Sequence, residues 1–399
     1  MSIWEWKKLG DVAEIARGGS PRPIKEFITT DNDGVNWIKI GDTDPTGKYI
    51  FETEEKIKPS GIKKSRYVEK GDFLLSNSMS FGRPYILMTD GCIHDGWLVL
   101  RKYQDYLDID FFYHLLTSPF VQNQFDREAR GSTVRNLNTD IVSKIEVPIP
   151  PLSEQKRIVK TLDEKFAKID KLKTAAETSL KNAKEIFNAE LEKIFHGDNT
   201  WKMVRLGNCG TFKNGMNFTA SDSGYKIRSL GVGDFKNLYQ INDMETLSEI
   251  SLNAPPSEDY FLKDGDIVFV RSNGNKELVG RCVLVYPRNT QTTYSGFCIR
   301  FRKDFDELNS DFLLHFLKSD QSRKILNGKE GANISNLNQK ILGDFEVPLP
   351  PLSEQKRIVA HLDKLSEKVK RLEENYARTI ADCEELKKSI LKQVFEVEK

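Results

Sequence analysis

Apolar residues recur at steps of three and four along two long stretches of the chain. In the first, Ile158, Leu162, Phe166, Ile169, Leu172, Ala176, Leu180, Ala183, Phe187, Leu191 and Ile194 form one stripe. In the second, the stripe runs through Ile358, Leu362, Leu365, Val369, Leu372, Tyr376, Ile380, Cys383, Leu386, Ile390 and Val394. Steps of that size hold residues on one face of a helix. No Pro or Gly interrupts either stripe, so each predicts a helix of about 40 residues, roughly 60 Å long. Pro150–Pro151 and Pro350–Pro351 keep the chain extended just before the helices. Ser153 and Ser353 are the expected N-caps, with Glu154 and Glu354 facing the helix dipole. A narrow stripe of this length is a coiled-coil seam, and the natural partner for each helix is the other.

The remaining segments show a different period. VNWIKIGD, GDFLLSNS, YILMT and WLVLRKY in the first 145 residues are short β-rich runs between turn residues. YKIRSLGV, GDIVFVRS, CVLVYP and FCIRFRK repeat the pattern after residue 201. Ile109 to Ser118 and Phe312 to Ser319 predict short helices. The expected fold class is therefore mixed α/β: two copies of a globular domain, joined by two long α-helices in an antiparallel coiled coil.

The two copies are a tandem duplication. VPIPPLSEQKRIV at 147–159 and VPLPPLSEQKRIV at 347–359 agree at all positions but one. GSTVRNLN from Gly131 aligns with GANISNLN from Gly331, and DFFYHLLTS from Asp110 with DFLLHFLKS from Asp311. Residues 1–150 and 198–350 are the expected globular domains, with helices over 151–197 and 351–399. Equivalent helices that pair approximate an internal pseudo-two-fold, which predicts two globular segments at opposite ends of a rod.

Composition excludes several classes. Lys and Arg number 60 against 59 Asp and Glu, a net charge of +1. Bulk charge attracts neither nucleic acid nor membrane, so DNA binding would need local patches or a partner. No segment approaches the ~18 apolar residues of a membrane span. MSIWEWKKLGD lacks a signal peptide's apolar core, so a soluble, cytoplasmic chain is expected. Five dispersed cysteines with no CxxC pair argue for buried thiols rather than disulfides or a metal site.

Catalytic patterns are missing. The Pro-Pro pairs sit in IPPL, APPS and LPPL, none of them the (Asn/Asp/Ser)-Pro-Pro-aromatic tetrad of an amine methyltransferase. GDTDPTGKY from Gly41 has one residue too many for a P-loop, and Tyr49 stands where Ser or Thr would hold Mg²⁺. GVGDFK from Gly231 lacks the third glycine of a dinucleotide fingerprint. His114 and His315 occupy equivalent positions, which suits packing or a polar network. No nucleophile can be assigned to His94–Asp95. A binding protein is favoured over an enzyme.

Two variable segments, each followed by P-x-P-P-L-S-E-Q-x-x-I and a long helix, resemble the specificity subunit of a type I restriction-modification system. The resemblance spans essentially the whole chain. It implies two target-recognition domains, each reading one half of a bipartite, asymmetric site in double-stranded DNA, with the helices setting the spacer. It implies no catalysis and no cofactor in this chain. The partners would be two methyltransferase (modification) subunits and two restriction/translocase subunits, to which S-adenosylmethionine, ATP and Mg²⁺ would belong. The alternative is a non-catalytic coiled-coil scaffold with two protein-binding domains.

Candidate DNA contacts follow from residue type. Lys58, Lys63, Lys64 and Arg66 form one basic loop suited to phosphate. Asn77, Ser78 and Arg83 follow a predicted strand, as do Arg271, Asn273, Asn275, Lys276 and Arg281. Arg and Asn are suited to guanine and adenine edges. Ser132, Thr133, Arg135 and Asn136, with Asn333, Ser335 and Asn336, lie just upstream of the hinge. The partial identity of those two stretches suits a turn or a backbone contact better than base reading.

Overall fold

The computed structural model describes residues 4–77, 80–129, 136–196, 201–236, 238–326 and 336–397. The chain divides into two compact units, Met1–Ala176 with Arg378–Lys399, and Glu177–Ala377.

In the first unit the strand Phe73–Ser76 is buried on both faces, which is why its sequence is an apolar run rather than an alternation. It pairs antiparallel with Trp97–Arg101 and with Pro84–Leu87. Glu14–Arg17 and Tyr49–Ile50 complete a five-stranded sheet. One face carries Leu74, Tyr85, Leu87, Trp97 and Val99 against Ile38, Val68 and Ile93 of a second five-stranded sheet. The other face carries Phe73, Leu75, Ile86, Leu98 and Leu100 against Phe111, Phe112 and Leu115 of the helix Ile109–Thr117. The second unit repeats this plan. Gly210–Asn214, Cys298–Lys303, Asp266–Val270, Cys282–Val285 and Gln240–Ile241 form its five-stranded sheet, and a three-stranded sheet covers one face.

All eight expected strands are present, and both short helices. Sequence reasoning missed a closing ribbon in each unit: Glu5–Lys8 pairs with Glu146–Ile149, and Lys202–Arg205 with Glu346–Leu349. It also missed the helices Pro119–Glu128 and Asp320–Leu326.

The long helices are Leu152–His196 and Leu352–Phe395. Each starts one residue before the expected serine cap. Pro151 O accepts from Gln155 N at 3.0 Å, and Pro351 O from Gln355 N at 3.1 Å, so Ser153 and Ser353 lie inside the first turn. The reason is the glutamine of the motif, whose side chain is fully buried. Gln155 Nε2 donates to Tyr106 O and Pro150 O, and its Oε1 accepts from Asp108 N, each at 2.8 Å. Gln355 makes the same three bonds, to Glu307 O, Pro350 O and Asn309 N, at the same distance. The motif thus nails each helix start to its globular part.

The helices pair antiparallel. In the first unit Asp170 meets Lys387, and Lys173 meets Glu384 at 2.6 Å, one number rising as the other falls. Ile158, Leu162 and Phe166 share a core with Ile390, Leu391 and Phe395. In the second unit Phe187 and Leu191 share a core with Ile358, Leu362, Leu365 and Val369, and Glu190 meets His361 at 2.9 Å. Ile169 is buried too, and Leu180, Tyr376 and Ile380 are partly so.

Three seam assignments are corrected. Leu172, Leu372 and Leu386 are 54%, 37% and 50% exposed. In each case the next residue is the less exposed one: Lys173, Glu373 and Lys387. The heptad places the charged residue on the seam, where its aliphatic stem packs and its head reaches the partner helix or solvent.

Candidate nucleic-acid interface

In each unit the central strand ends at a loop that turns back through a left-handed glycine, Gly82 (φ +72°) and Gly280 (φ +74°). That backbone conformation is open to glycine at no steric cost. Arg83 and Arg281 follow directly. Arg83 Nη2 donates to Gly47 O at 3.3 Å, and Arg281 Nη1 to Lys236 O at 3.1 Å. The arginine recurs at the same place in both halves, tied by one bond to a neighbouring loop in each, and both side chains stay partly exposed.

Asn77 and Arg271 occupy equivalent strand ends. Leu137 N donates to Asn77 O at 2.8 Å, and Leu337 N to Arg271 O at 2.9 Å. The loop after the strand and the segment before the hinge, separate in sequence, are therefore joined in each unit. Asn77 is corrected as a base-reading side chain. It is only 2% exposed, and its amide donates to Asp95 O at 2.8 Å. Arg271 is partly exposed. The Asn273 and Asn275 side-chain oxygens accept from Asn275 N and Glu277 N, shaping a tight turn that carries exposed Lys276. Ser78, Ser132, Thr133, Arg135, Asn333 and Ser335 lie outside the described residues.

The basic loop is the 3₁₀ helix Pro59–Lys64 and the residues beside it. Lys58, Lys63, Lys64 and Arg66 are all exposed. Lys58 Nζ donates to Glu26 O at 2.9 Å, Lys64 Nζ stands 4.7 Å from the Phe27 ring centroid, and Arg66 Nε donates to Arg17 O at 3.3 Å.

A cleft of about 670 Å³ in the first unit is lined by Arg17, Lys39, Asn77, His94, Asp95 and Asn136, among others. Arg17, Lys39 and Asp95 were not singled out for DNA, since scattered single charges carry no sequence signal. Burial depresses the His94 pKa below its ordinary value and keeps the imidazole neutral. Its Nδ1 faces Gly96 N at 2.6 Å and its Nε2 faces Ile40 N at 3.2 Å, so it shapes the turn. The Ser20 hydroxyl donates to Asp95 at 2.7 Å and holds that carboxyl low. Asp95 thus presents an ionised acceptor at the cleft, the type suited to a cytosine amine. Its counterpart in the other unit is Gly296, by strand register.

The model of the type I restriction modification DNA specificity domain matches residues 1–182 and again 198–380. The StySPI specificity subunit of Salmonella potsdam, a type I restriction enzyme component, is 27% identical over 98% of this chain and 88% of its own length. The EcoKI specificity subunit of Escherichia coli K12 is 27% identical over 71% of this chain and 64% of its own. A chain solved in work on assembly and conformational transition of the type I restriction-modification system superposes with a TM-score of 0.76. It is 23% identical and covers 98% of this chain and 97% of its own. The HsdS subunit of Thermoanaerobacter tengcongensis superposes at 0.59, with 23% identity over 98% and 96%.

A duplicated frame with unlike loops, matched twice by a DNA-specificity model, defines a recognition protein of tandem design. The chain belongs to the type I restriction-modification DNA specificity family, whose members are the non-catalytic DNA-recognition components of those systems. None of its described helices is long and apolar enough to cross a membrane.

Proposed function

We propose that the two globular parts read the two unlike halves of a bipartite DNA site, and that the paired helices fix the unread spacer between them. The observation that carries this is the contrast at equivalent positions. The strand-end and hinge bonds repeat in both units, whereas Asp95 at the cleft of the first unit stands where the strand register places Gly296 in the second. A frame kept while its loops diverge suits two readers of different sequence.

The helix starts support assembly with two copies of one partner. Leu152, Ser153, Lys156 and Arg157 are exposed, and so are Leu352, Ser353, Lys356 and Arg357. Glu154 holds Arg157 in a bidentate pair at 2.8 and 2.6 Å, and Glu354 holds Arg357 at 2.8 and 2.7 Å. The same surface offered twice suits two methyltransferase subunits, joined by two restriction/translocase subunits in the full complex. S-adenosylmethionine, ATP and Mg²⁺ belong to those partners.

The test is selection of duplexes from a random-site library by this chain assembled with its methyltransferase subunit. Two short, different half-sites at one fixed spacing are expected. Recovery without sequence preference would favour the protein-binding scaffold instead.

A further inference from the structure

The second unit holds a cleft of about 570 Å³ between Phe235, Lys236 and Tyr239, the end of the helix Ser310–Lys318, the helix Asp320–Leu326 and Asn188. Lys236, Arg281, Lys318, Arg323 and Lys324 line it, against Glu277 and Asp320. Three of these cations are fixed by backbone carbonyls. Lys318 Nζ donates to Leu238 O at 2.8 Å and stands 4.4 Å from the Tyr239 ring centroid. Arg323 donates to Val279 O at 3.3 Å and Glu277 O at 3.1 Å, and Arg281 to Lys236 O at 3.1 Å. Carbonyls set the geometry without neutralising the charge. Among the described residues, no carboxylate forms an ion pair with any of the five. Burial pushes the Lys318 ammonium below an ordinary lysine, and the Arg323 and Arg281 guanidinium groups act in the same direction.

Arg281 has a counterpart in Arg83, but the fold does not require the charges of Lys318, Arg323 and Lys324. In the repeat, Lys318 aligns with Thr117, Arg323 with Gln122 and Lys324 with Asn123. The first unit builds the same two-helix corner with Gln122, whose amide donates to Gly82 O and Leu116 O at 2.8 and 2.7 Å. Gathering like charges at a half-buried corner is unfavourable unless an anion joins them. Two guanidinium groups and an ammonium converging on one cleft match the several oxygens of a phosphate.

We propose that this cleft binds a phosphate group through Lys318, Arg281 and Arg323. The expected source is a phosphodiester of the bound duplex, which rests on the DNA reading above; a free phosphate ester is the other source of the same chemistry. The test compares the full chain with a Lys318→Thr/Arg323→Gln variant, which carries the first unit's own residues. Millimolar sodium pyrophosphate should raise the melting temperature of the wild type more than sodium chloride of equal ionic strength, and should lose that advantage in the variant. With the methyltransferase subunit, on the selected duplex, the variant should bind about ten-fold more weakly. Its log–log salt slope should flatten by about 0.9 per phosphate lost, with the selected bases unchanged. A pyrophosphate effect with unaltered DNA binding would assign the cleft to a free phosphate ester. A pyrophosphate effect in a chain that shows no sequence selection would remove the DNA reading and leave the cleft standing. No pyrophosphate advantage together with wild-type affinity and slope in the variant would overturn the proposal.

Discussion

Gln155 shows how much of a repeated motif is structural. Its side chain closes three backbone bonds at the point where the chain leaves a two-stranded ribbon and enters a long helix. Gln155→Leu keeps the volume and leaves Asp108 N, Tyr106 O and Pro150 O unpaired. Buried polar groups without partners lower stability by about 1–3 kcal/mol each, so a fall of roughly 2–4 kcal/mol in urea unfolding is expected. Glu154→Ala breaks only an exposed ion pair and should leave stability nearly unchanged. Histidine 114 carries a second test. Burial depresses its pKa below the ordinary 6.5, although Asp163 at 3.2 Å opposes that shift. The unfolded chain therefore takes up the proton first as pH falls. Stability contributed by the neutral ring is intact above about pH 6.5 and declines below it. Melting measured from pH 8 to 5.5 should show that decline, and His114→Asn should reduce it. An identical pH profile in the variant would refute the assignment.

At the scale of elements, the two long helices were legible because a stripe with a period of three and four declares itself over many turns. The strands were legible where both faces are buried, as in Phe73–Ser76 and Asp266–Val270. Local pattern failed where long side chains have two characters. Leucine was preferred at 172, 372 and 386, yet Lys173, Glu373 and Lys387 are the less exposed neighbours. Hydrophobicity alone does not see the buried stem of a lysine. The heptad makes the difference measurable. Ile169→Ala should lower stability by about 2–4 kcal/mol, because it opens a cavity in the seam. Leu172→Ala should change it by less than about 0.5 kcal/mol. The candidate interface was legible in part. Sequence found the loops but not the burial of Asn77, whose amide is spent on Asp95 O. The cleft residues Arg17, Lys39 and Asp95 come from three distant stretches, which only the fold brings together.

For the whole molecule, the duplication was the most informative feature of the sequence. It predicted a repeated frame, and the frame repeats down to single hydrogen bonds. Asp72 with Arg101 and Asp266 with Arg302 are one such pair of ion pairs, at 3.1 and 2.7 Å. His114 with Asp163 and His315 with Asp363 are a second repeated contact, a hydrogen bond at 3.2 and 3.3 Å. What each half selects was not legible, because the two copies differ widely outside the repeated motifs and no stretch of sequence marks which side chains would reach a base. The proposed spacer role of the helices has a direct check. Residues Asp170–Ala176 face Ala381–Lys387 in the antiparallel register set by Asp170 with Lys387 and Lys173 with Glu384. Removing both heptads keeps the phase of the seam and shortens the pair by about 10 Å, roughly three base pairs. The decisive measurement is methylation mapping with complexes carrying the wild-type and the shortened chain. The same two half-sites separated by about three fewer base pairs are expected; the same half-sites at the original separation would contradict the account.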